Sequence, residues 1–466
     1  MNKKNLIFSL ALSMLSLVGN AADDLPALRV SGKKLVDASG NSVVLHGVMD
    51  TPNRYFNGWR WQAWKADYSK VDVQPCLDYF EKIFTAITDK EHGAYCDVFR
   101  LHLDPCWTND PNKVSDGKES GEADISRFSE SRYKDYLQWL YIPLIKKALA
   151  HGLYVVVRPP GVCPQTLHVD DYYSEYLKTV WSIFASDTFV QEHAGQISIE
   201  LANEPVKILD ASEKEVATNM RNFFQPVVDA IRNAGFTGIV WVPGTGWQSN
   251  YVNYKSFPIK DATNNFGYAV HCYPGWYGTD SETGLQPKIM AKNFLAKVPV
   301  VKNKPVIVTE IDWSPEKPGA GHYNEHGTWV PANYGTWGTA TTSGFGNAWK
   351  YVHDFFGNIS MTLQGTGTYL DIDKYLKDGT VTPAFDGIEE ACAAACWKWY
   401  KEWSPAGTET SIENVKKQDM DASAVKYTYY YNITGERVVK PQTGVYIIKQ
   451  VLNDGNVRIR KVCYKK

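Results

Sequence analysis

The chain has 466 residues, and its 49 Lys and Arg against 51 Asp and Glu leave a formal charge of −2, without the basic excess of a dedicated nucleic-acid binder. Hydrophobic residues make up 44 % and charged ones 21 %, the proportions of a globular protein rather than a disordered or fibrous one, and no internal run of about 18 apolar residues offers a membrane span. The 16 Trp and 28 Tyr exceed what a core takes up, so some rings are expected on surfaces that stack flat ligands, with the neutral charge favouring sugars over bases.

Residues 1–22 read as a secretory signal peptide: Lys3 and Lys4, an apolar run from Leu6 to Val18, then the small-residue site Gly19-Asn20-Ala21. The run is too short for an anchor, and no cysteine follows it as a lipoprotein would require. LRVSGKKLVDASGNSVVLHGV then carries two short strands around a glycine-rich turn and leads into a third.

From there apolar runs alternate with amphipathic stretches. The runs are VVLHGVM (43–49), CDVFRLHL (96–103), LYVVVRP (153–159), ISIELANE (197–204), IVWVPG (239–244), FGYAVHCY (266–273), PVIVTEI (305–311) and NISMTLQ (358–364). Stretches between them, such as YKDYLQWLYIPLIKKALAHG, have apolar residues at helical spacing and a terminal glycine. Eight near-continuous apolar strands, each followed by a helix, predict a parallel sheet buried on both faces. The simplest closure is an α/β fold of the (β/α)8, or TIM barrel, type; a doubly wound open sheet is the alternative. No glycine-rich phosphate loop follows any of these strands, which disfavours a nucleotide-binding variant.

Two loops concentrate the rings. Tyr55, Phe56, Trp59, Trp61 and Trp64 follow the first strand, and Trp313, Tyr323, Trp329, Tyr334 and Trp337 follow the seventh. Both loops are expected to overhang the barrel mouth as walls of a sugar-binding cleft, with Trp59 and Trp313 as candidate substrate-binding residues; the competing reading is that the rings pack the loops against the barrel. Trp139, Trp181, Trp349, Trp397 and Trp399 fall in helical patterns and are expected in the core.

The eight cysteines show no Cys-x-x-Cys spacing, and their pairing stays open. Cys392 and Cys396, one helical turn apart, read as small apolar side chains on a buried face. Asp371, Asp373 and Asp378 in YLDIDKYLKDG lack the fuller spacing of a calcium loop, so neither a metal nor another cofactor is expected.

After a catalytic body at 23–403, residues 404–424 read as a polar, turn-rich linker and 425–466 as a small all-β module with short alternating strands. Residues 411–466 hold 11 Lys and Arg against 5 Asp and Glu, a net +6, leaving −8 for the remainder.

A barrel places its chemistry where strands end, on the C-terminal face. Arg100 and His102, Asn203 and Glu204, His271 and Tyr273, and Glu310 all fall there. Two carboxylates on facing strands suit hydrolysis of a glycosidic bond: one, kept protonated, donates to the leaving oxygen, and the other attacks the anomeric carbon. Asn203 can bond the neighbouring sugar hydroxyl, while Arg100 and Tyr273 can keep Glu310 ionised. The bland reading is that Glu204 and Glu310 are ordinary strand-end residues.

The segments LRVSGKKLVDASGNSVVLHGV, VFRLHL, IELANEP, VHCYPGW and VIVTEID together resemble glycoside hydrolase family 5, the cellulase-like branch of the retaining (β/α)8 hydrolases, over roughly residues 28–403. The resemblance implies double displacement with Glu204 as acid/base and Glu310 as nucleophile, and Arg100, Asn203, His271 and Tyr273 as site residues. It points first to a secreted endo-β-1,4-glucanase acting on plant cell-wall polysaccharide or its oligosaccharides. Xyloglucan, β-mannan, xylan and exo-action are alternatives within the class, and a non-catalytic carbohydrate-binding protein is the alternative outside it. Two departures touch the subsite of the non-reducing sugar. Arg158-Pro159 stands where the family commonly has a His, closer to the β-galactosidase branch of the clan, and Met361 is what NISMTLQGTG offers where the family has a sugar-stacking Trp. The ending YYYNITGERVV…GVYIIKQ…VRIRKV resembles the C-terminal sorting module of type IX secretion in Bacteroidetes, implying secretion machinery as a partner and a location outside the cell or on its surface. A small carbohydrate-binding module is the competing reading.

Overall fold

The structure, a computed structural model, describes residues 25–464 apart from 54–56, 63–67, 279–286, 314–320, 324–328, 332–341, 386–390, 405–424, 433–436, 440–443 and 453–456. The predicted signal peptide and nearly all of the predicted linker therefore lie outside the described residues. Contacts divide the chain into two compact units, Met1–Lys401 and Glu402–Lys466.

The first unit is built on eight parallel strands: β1 (His46–Asp50), β2 (Val98–His102), β3 (Tyr154–Arg158), β4 (Ile197–Glu200), β5 (Val240–Pro243), β6 (Phe266–Cys272), β7 (Val306–Ile311) and β8 (Ile359–Leu363). They pair in sequence order and β8 closes on β1, giving the (β/α)8 barrel and ruling out the open sheet. All eight apolar runs contribute a strand, because a parallel strand covered on both faces must be apolar at nearly every position. One boundary moves. VVLHGVM splits, Val43 joining a small antiparallel sheet (Arg29–Ser31, Lys34–Val36, Ser42–Val43) while the barrel strand starts at His46. Leu28 and Leu35 then cluster with Val98, Val156, Trp241, Ala269 and Ile307, which plugs the barrel floor. Gly47 is obligatory in β1, since a Cβ there would stand 1.7 Å from the Val98 carbonyl oxygen.

Long helices follow seven of the eight strands: α1 (Val73–Ile87), α2 (Ile142–Ala150), α3 (Tyr172–Ala185), α4 (Asn219–Asn233), α5 (Pro287–Lys297), α6 (Thr342–Phe356) and α7 (Cys392–Trp403). The expectation of a helix after every strand fails between β5 and β6, where only the short turns Thr245–Gln248 and Val252–Lys255 occur. Ahead of α2, a π turn at Leu137–Tyr141 precedes Pro143, whose missing N–H breaks the regular ladder.

Alternation along the strands selects what enters the barrel. Val98, Arg100 and His102 share one face of β2; Val156 and Arg158 share one face of β3. Strand β7 departs from this rule. Val270 pairs with Val308 but His271 pairs with Glu310, a register shift at the top of the strand. Such a bulge re-aims side chains, and here it lets the successive residues Thr309 and Glu310 both bond to interior groups.

The second unit is a four-stranded antiparallel sheet of Val425–Tyr431, Arg437–Val438, Gly444–Leu452 and Val457–Tyr464, with the second strand at one edge and the fourth at the other. Cys392 and Cys396 are buried on α7.

Candidate active site

Arg100, fully buried at mid-barrel, organises the mouth. Its Nε donates to Glu200 Oε2 (2.6 Å), its Nη1 to Glu310 Oε1 (2.7 Å) and its Nη2 to Asn203 Oδ1 (2.7 Å). Burial alone would pull the guanidinium pKa down, but Glu200 and Glu310 raise it above the usual value. Glu200 is itself fully buried, and its Oε1 accepts from Thr309 Oγ1 (2.8 Å) and Gln248 Nε2 (3.0 Å). The sequence reading missed this third carboxylate; its signal is an acid inside the barrel strand ISIE, four residues before Glu204.

Glu310 accepts from Arg100 on one oxygen and from Tyr273 Oη (2.8 Å) on the other. Burial pushes its carboxyl pKa up, but His271, Arg100 and Arg158 outweigh burial and hold it at about 2, so the group is an anion across the physiological range. Glu204 differs in its setting. Its side chain is 27 % exposed against 10 % for Glu310, and its backbone is left-handed, φ 57°, immediately before Pro205. Strain of this kind persists where surrounding contacts over-determine it. Here the Glu204 N–H donates to Gln248 Oε1 (2.6 Å), and Gly246, Trp247 and Gln248 are themselves three successive left-handed residues. His271 Nδ1 stands between the acids, 3.0 Å from Glu204 Oε1 and 3.5 Å from Glu310 Oε2. One oxygen of each carboxylate and a ring nitrogen of His271 lie within 4.8 Å of one another.

The acids open into a cavity of about 370 Å³, lined also by Asn203, Asp50, Arg60, His102, Glu122, Arg158 and the Gln364–Thr368 segment after β8. Among the described residues, its lining includes no Phe, Tyr or Trp. Burial pushes the Asp50 carboxyl up to about 6. Burial, Arg158 and Arg100 hold the His102 ring well below its usual pKa, and therefore neutral.

The structure thus gathers Arg100, His102, Asn203, Glu204, His271, Tyr273 and Glu310 at one mouth. It does not bring the two predicted tryptophans there. Trp313 is fully buried, packed against Trp399 and Phe345; it is a core side chain, not a cleft wall. Trp59 is 41 % exposed but absent from the cavity lining. Trp61 stacks on Trp107 with 9° between the rings, fastening its loop to the barrel. Tyr55, Phe56, Trp64, Tyr334 and Trp337 lie outside the described residues, as do the side chains of Tyr323 and Trp329. Met361 does not line the cavity either. It is buried, with Trp349 Nε1 3.5 Å from its sulfur, and the strand offers Gln364 and Thr366 to the cavity instead.

Two tryptophans the sequence reading passed over sit beside the mouth. Trp247, 46 % exposed, donates its backbone N–H to Pro205 O (3.0 Å), directly after Glu204. Trp276 packs edge-on to Tyr273 with 5.4 Å between ring centroids. Both line a second cavity of about 520 Å³. Among the described residues, Glu204, His271 and Glu310 are the group spaced to hold a metal ion, but the Arg100 guanidinium already supplies positive charge to Glu310. The acids of YLDIDKYLKDG are otherwise engaged: Asp371 caps a helix through Lys374 N (3.0 Å), Asp373 pairs with Arg60 (2.7 Å) and Asp378 with Lys374 (3.1 Å).

A closed parallel (β/α)8 barrel with paired carboxylates at its C-terminal mouth has the architecture of a glycoside hydrolase. The chain matches Cellulase (glycosyl hydrolase family 5) over residues 79–341, more than half its length, and belongs to that family. Its fold is similar to that of a β-glucanase from Saccharophagus degradans in complex with cellotetraose, at 16 % identity over 81 % of this chain and 93 % of that one, with a TM-score of 0.50. The native form of that enzyme gives 17 % identity over the same shares and 0.49. The catalytic domain of an endoglucanase from Thermobifida fusca gives 16 % over 82 % of this chain and 100 % of that one, with 0.46. No curated protein sequence matches the chain. The protein is a family 5 glycoside hydrolase.

Proposed function

We propose that this enzyme is a retaining endo-β-1,4-glucanase, with Glu310 as nucleophile and Glu204 as acid/base. The observation that carries the mechanism is the approach of the two carboxylates: oxygens within 4.8 Å fit the short spacing of retaining pairs, about 5–5.5 Å, and not the roughly 6.5–9.5 Å that inverting pairs keep for a water. In the first step Glu310 attacks the anomeric carbon while the bond to the leaving oxygen breaks and that oxygen takes the Glu204 proton. In the second, water gives a proton to Glu204 and its oxygen displaces Glu310, restoring both acids.

The surrounding groups support these roles. The Arg100 and Tyr273 donors keep Glu310 ionised and aimed. Because Asn203 Oδ1 accepts from Arg100, its Nδ2 faces away to donate to the sugar hydroxyl beside the reacting carbon. Trp247 and Trp276, next to the turn that carries Glu204, supply rings for the leaving-group side of the chain. The glucan preference rests on family membership.

Residues 1–22 are read as an export signal and the C-terminal sheet as a sorting module, with the enzyme acting outside the cell or on its surface. Proton NMR of the first product tests the mechanism: the β-anomer is expected, and initial α-anomer would overturn it. Reducing-sugar release from defined β-glucan, xyloglucan, mannan and xylan, with product lengths resolved, tests substrate and endo-action. Fastest release from xyloglucan, mannan or xylan would replace the glucanase reading.

A further inference from the structure

Near Glu310 the cavity has an opposed pair of charges that does not close. Arg158, 5 % exposed at the end of β3, donates from Nη1 to Gly161 O (2.7 Å) and lies with Nη2 2.8 Å from His102 Nδ1. Glu122 approaches from the turn Gly121–Ala123, yet its Oε2 stops 3.6 Å from Arg158 Nη2 and 3.9 Å from His102 Nε2, beyond hydrogen-bond reach. Among the described residues, Glu122 Oε2 and Arg158 Nε are buried without a hydrogen-bond partner, a costly state that a bound group can relieve.

The gap is held open by backbone. Glu122 O accepts from Val162 N–H (3.2 Å), and a Cβ at Gly161, φ +80°, would meet that same oxygen at 2.1 Å. The acid therefore has a fixed station across from the guanidinium. A carboxylate ligand would meet Glu122 and an ammonium would meet Arg158. A neutral hydroxyl satisfies both, accepting from Arg158 and donating to Glu122. Arg158, Glu122 and Glu310 line the same cavity, so the sugar in reach is the one whose anomeric carbon Glu310 attacks.

Resting on the glycosidase reading above, we propose that Arg158 and Glu122, with His102 behind them, are specificity-determining residues that read one free hydroxyl of the attacked sugar, other than the hydroxyl beside the reacting carbon. Backbone units carrying a branch on that hydroxyl are excluded from this subsite, so cleavage falls only at units that are unsubstituted there.

The test uses binding, which does not depend on turnover. A cello-oligosaccharide with sulfur as the scissile atom is titrated calorimetrically into the full-length wild type, Glu122→Gln and Arg158→Lys, alongside analogues lacking the 3- or the 6-hydroxyl of the attacked unit. Wild type is expected to lose about tenfold or more in affinity for one of the two analogues. The variants are expected to bind that analogue and the parent within about twofold of each other, because the reader is already gone. Equal losses from variant and analogue that simply add would overturn the proposal. Should Arg158→Lys not fold, Glu122→Gln, in a surface turn, decides the outcome alone. Coupling without hydrolysis by the wild type would refute the enzymatic reading and leave the subsite standing.

Discussion

Glu310→Gln tests the site electrostatics and the chemistry in one variant. The folded protein holds this carboxyl at about 2 against an ordinary 4.5, a difference of about 3 kcal/mol in favour of the anion. Because the folded pKa lies below the unfolded one, the group stabilises the fold above about pH 4.5, and the contribution is lost as pH falls from there toward 2. Glutamine keeps the shape but cannot ionise, leaving Arg100 paired with Glu200. Urea unfolding of wild type and variant, followed by tryptophan fluorescence at pH 7, 4.5, 3 and 2, reads the difference between them, from which the other titrating groups cancel. The stability of wild type relative to the variant is expected to fall by about 3 kcal/mol between pH 5 and 2. Hydrolysis should drop roughly 10⁴-fold or more at every pH. Parallel pH dependences would show that Arg100, His271 and Arg158 do not hold the acid as argued, and retained hydrolysis would remove Glu310 from the nucleophile role.

Glu200→Ala breaks a fully buried ion pair and should cost roughly 3–5 kcal/mol in denaturant unfolding, with a fall in kcat because Arg100 loses its anchor; a loss under about 1 kcal/mol would refute the pairing. Trp247→Gly should raise KM for long oligosaccharides while leaving kcat on short activated glycosides unchanged. Its stability should stay within about 1 kcal/mol of wild type, since relief of the left-handed backbone offsets the added chain entropy. Asp50→Asn carries the opposite pH signature to Glu310→Gln. Its folded pKa of about 6 exceeds the ordinary 3.8, so wild type loses about 2 kcal/mol relative to the variant as pH rises from about 4 to 6.5. Unfolding curves at those two pH values check it.

Much of the site was legible because strand-end residues in a barrel converge by topology alone: Asn203, His271 and Glu310 each stand at or near the end of an apolar run, and Arg100 is a lone cation in the middle of one. Glu200 was not, because what makes a buried glutamate tolerable is Arg100, 100 residues earlier, and nothing local records that partner. Trp313 and Trp247 show the same limit in reverse. Both are tryptophans in polar loops after a strand, yet one is sealed beneath α6 and α7 while the other is thrown outward by three left-handed residues in succession.

Residues in order determined the strands and most of the helices by themselves, since period and apolar content depend only on near neighbours. They also set which groups stand at the mouth. Tertiary structure decided the rest: the split of the first run between the floor sheet and β1, the bulge that turns Thr309 and Glu310 the same way, and the approach of Glu204 to Glu310. It also decided the unclosed gap between Arg158 and Glu122. Each depends on distances between residues far apart in the chain, which are settled when the barrel closes.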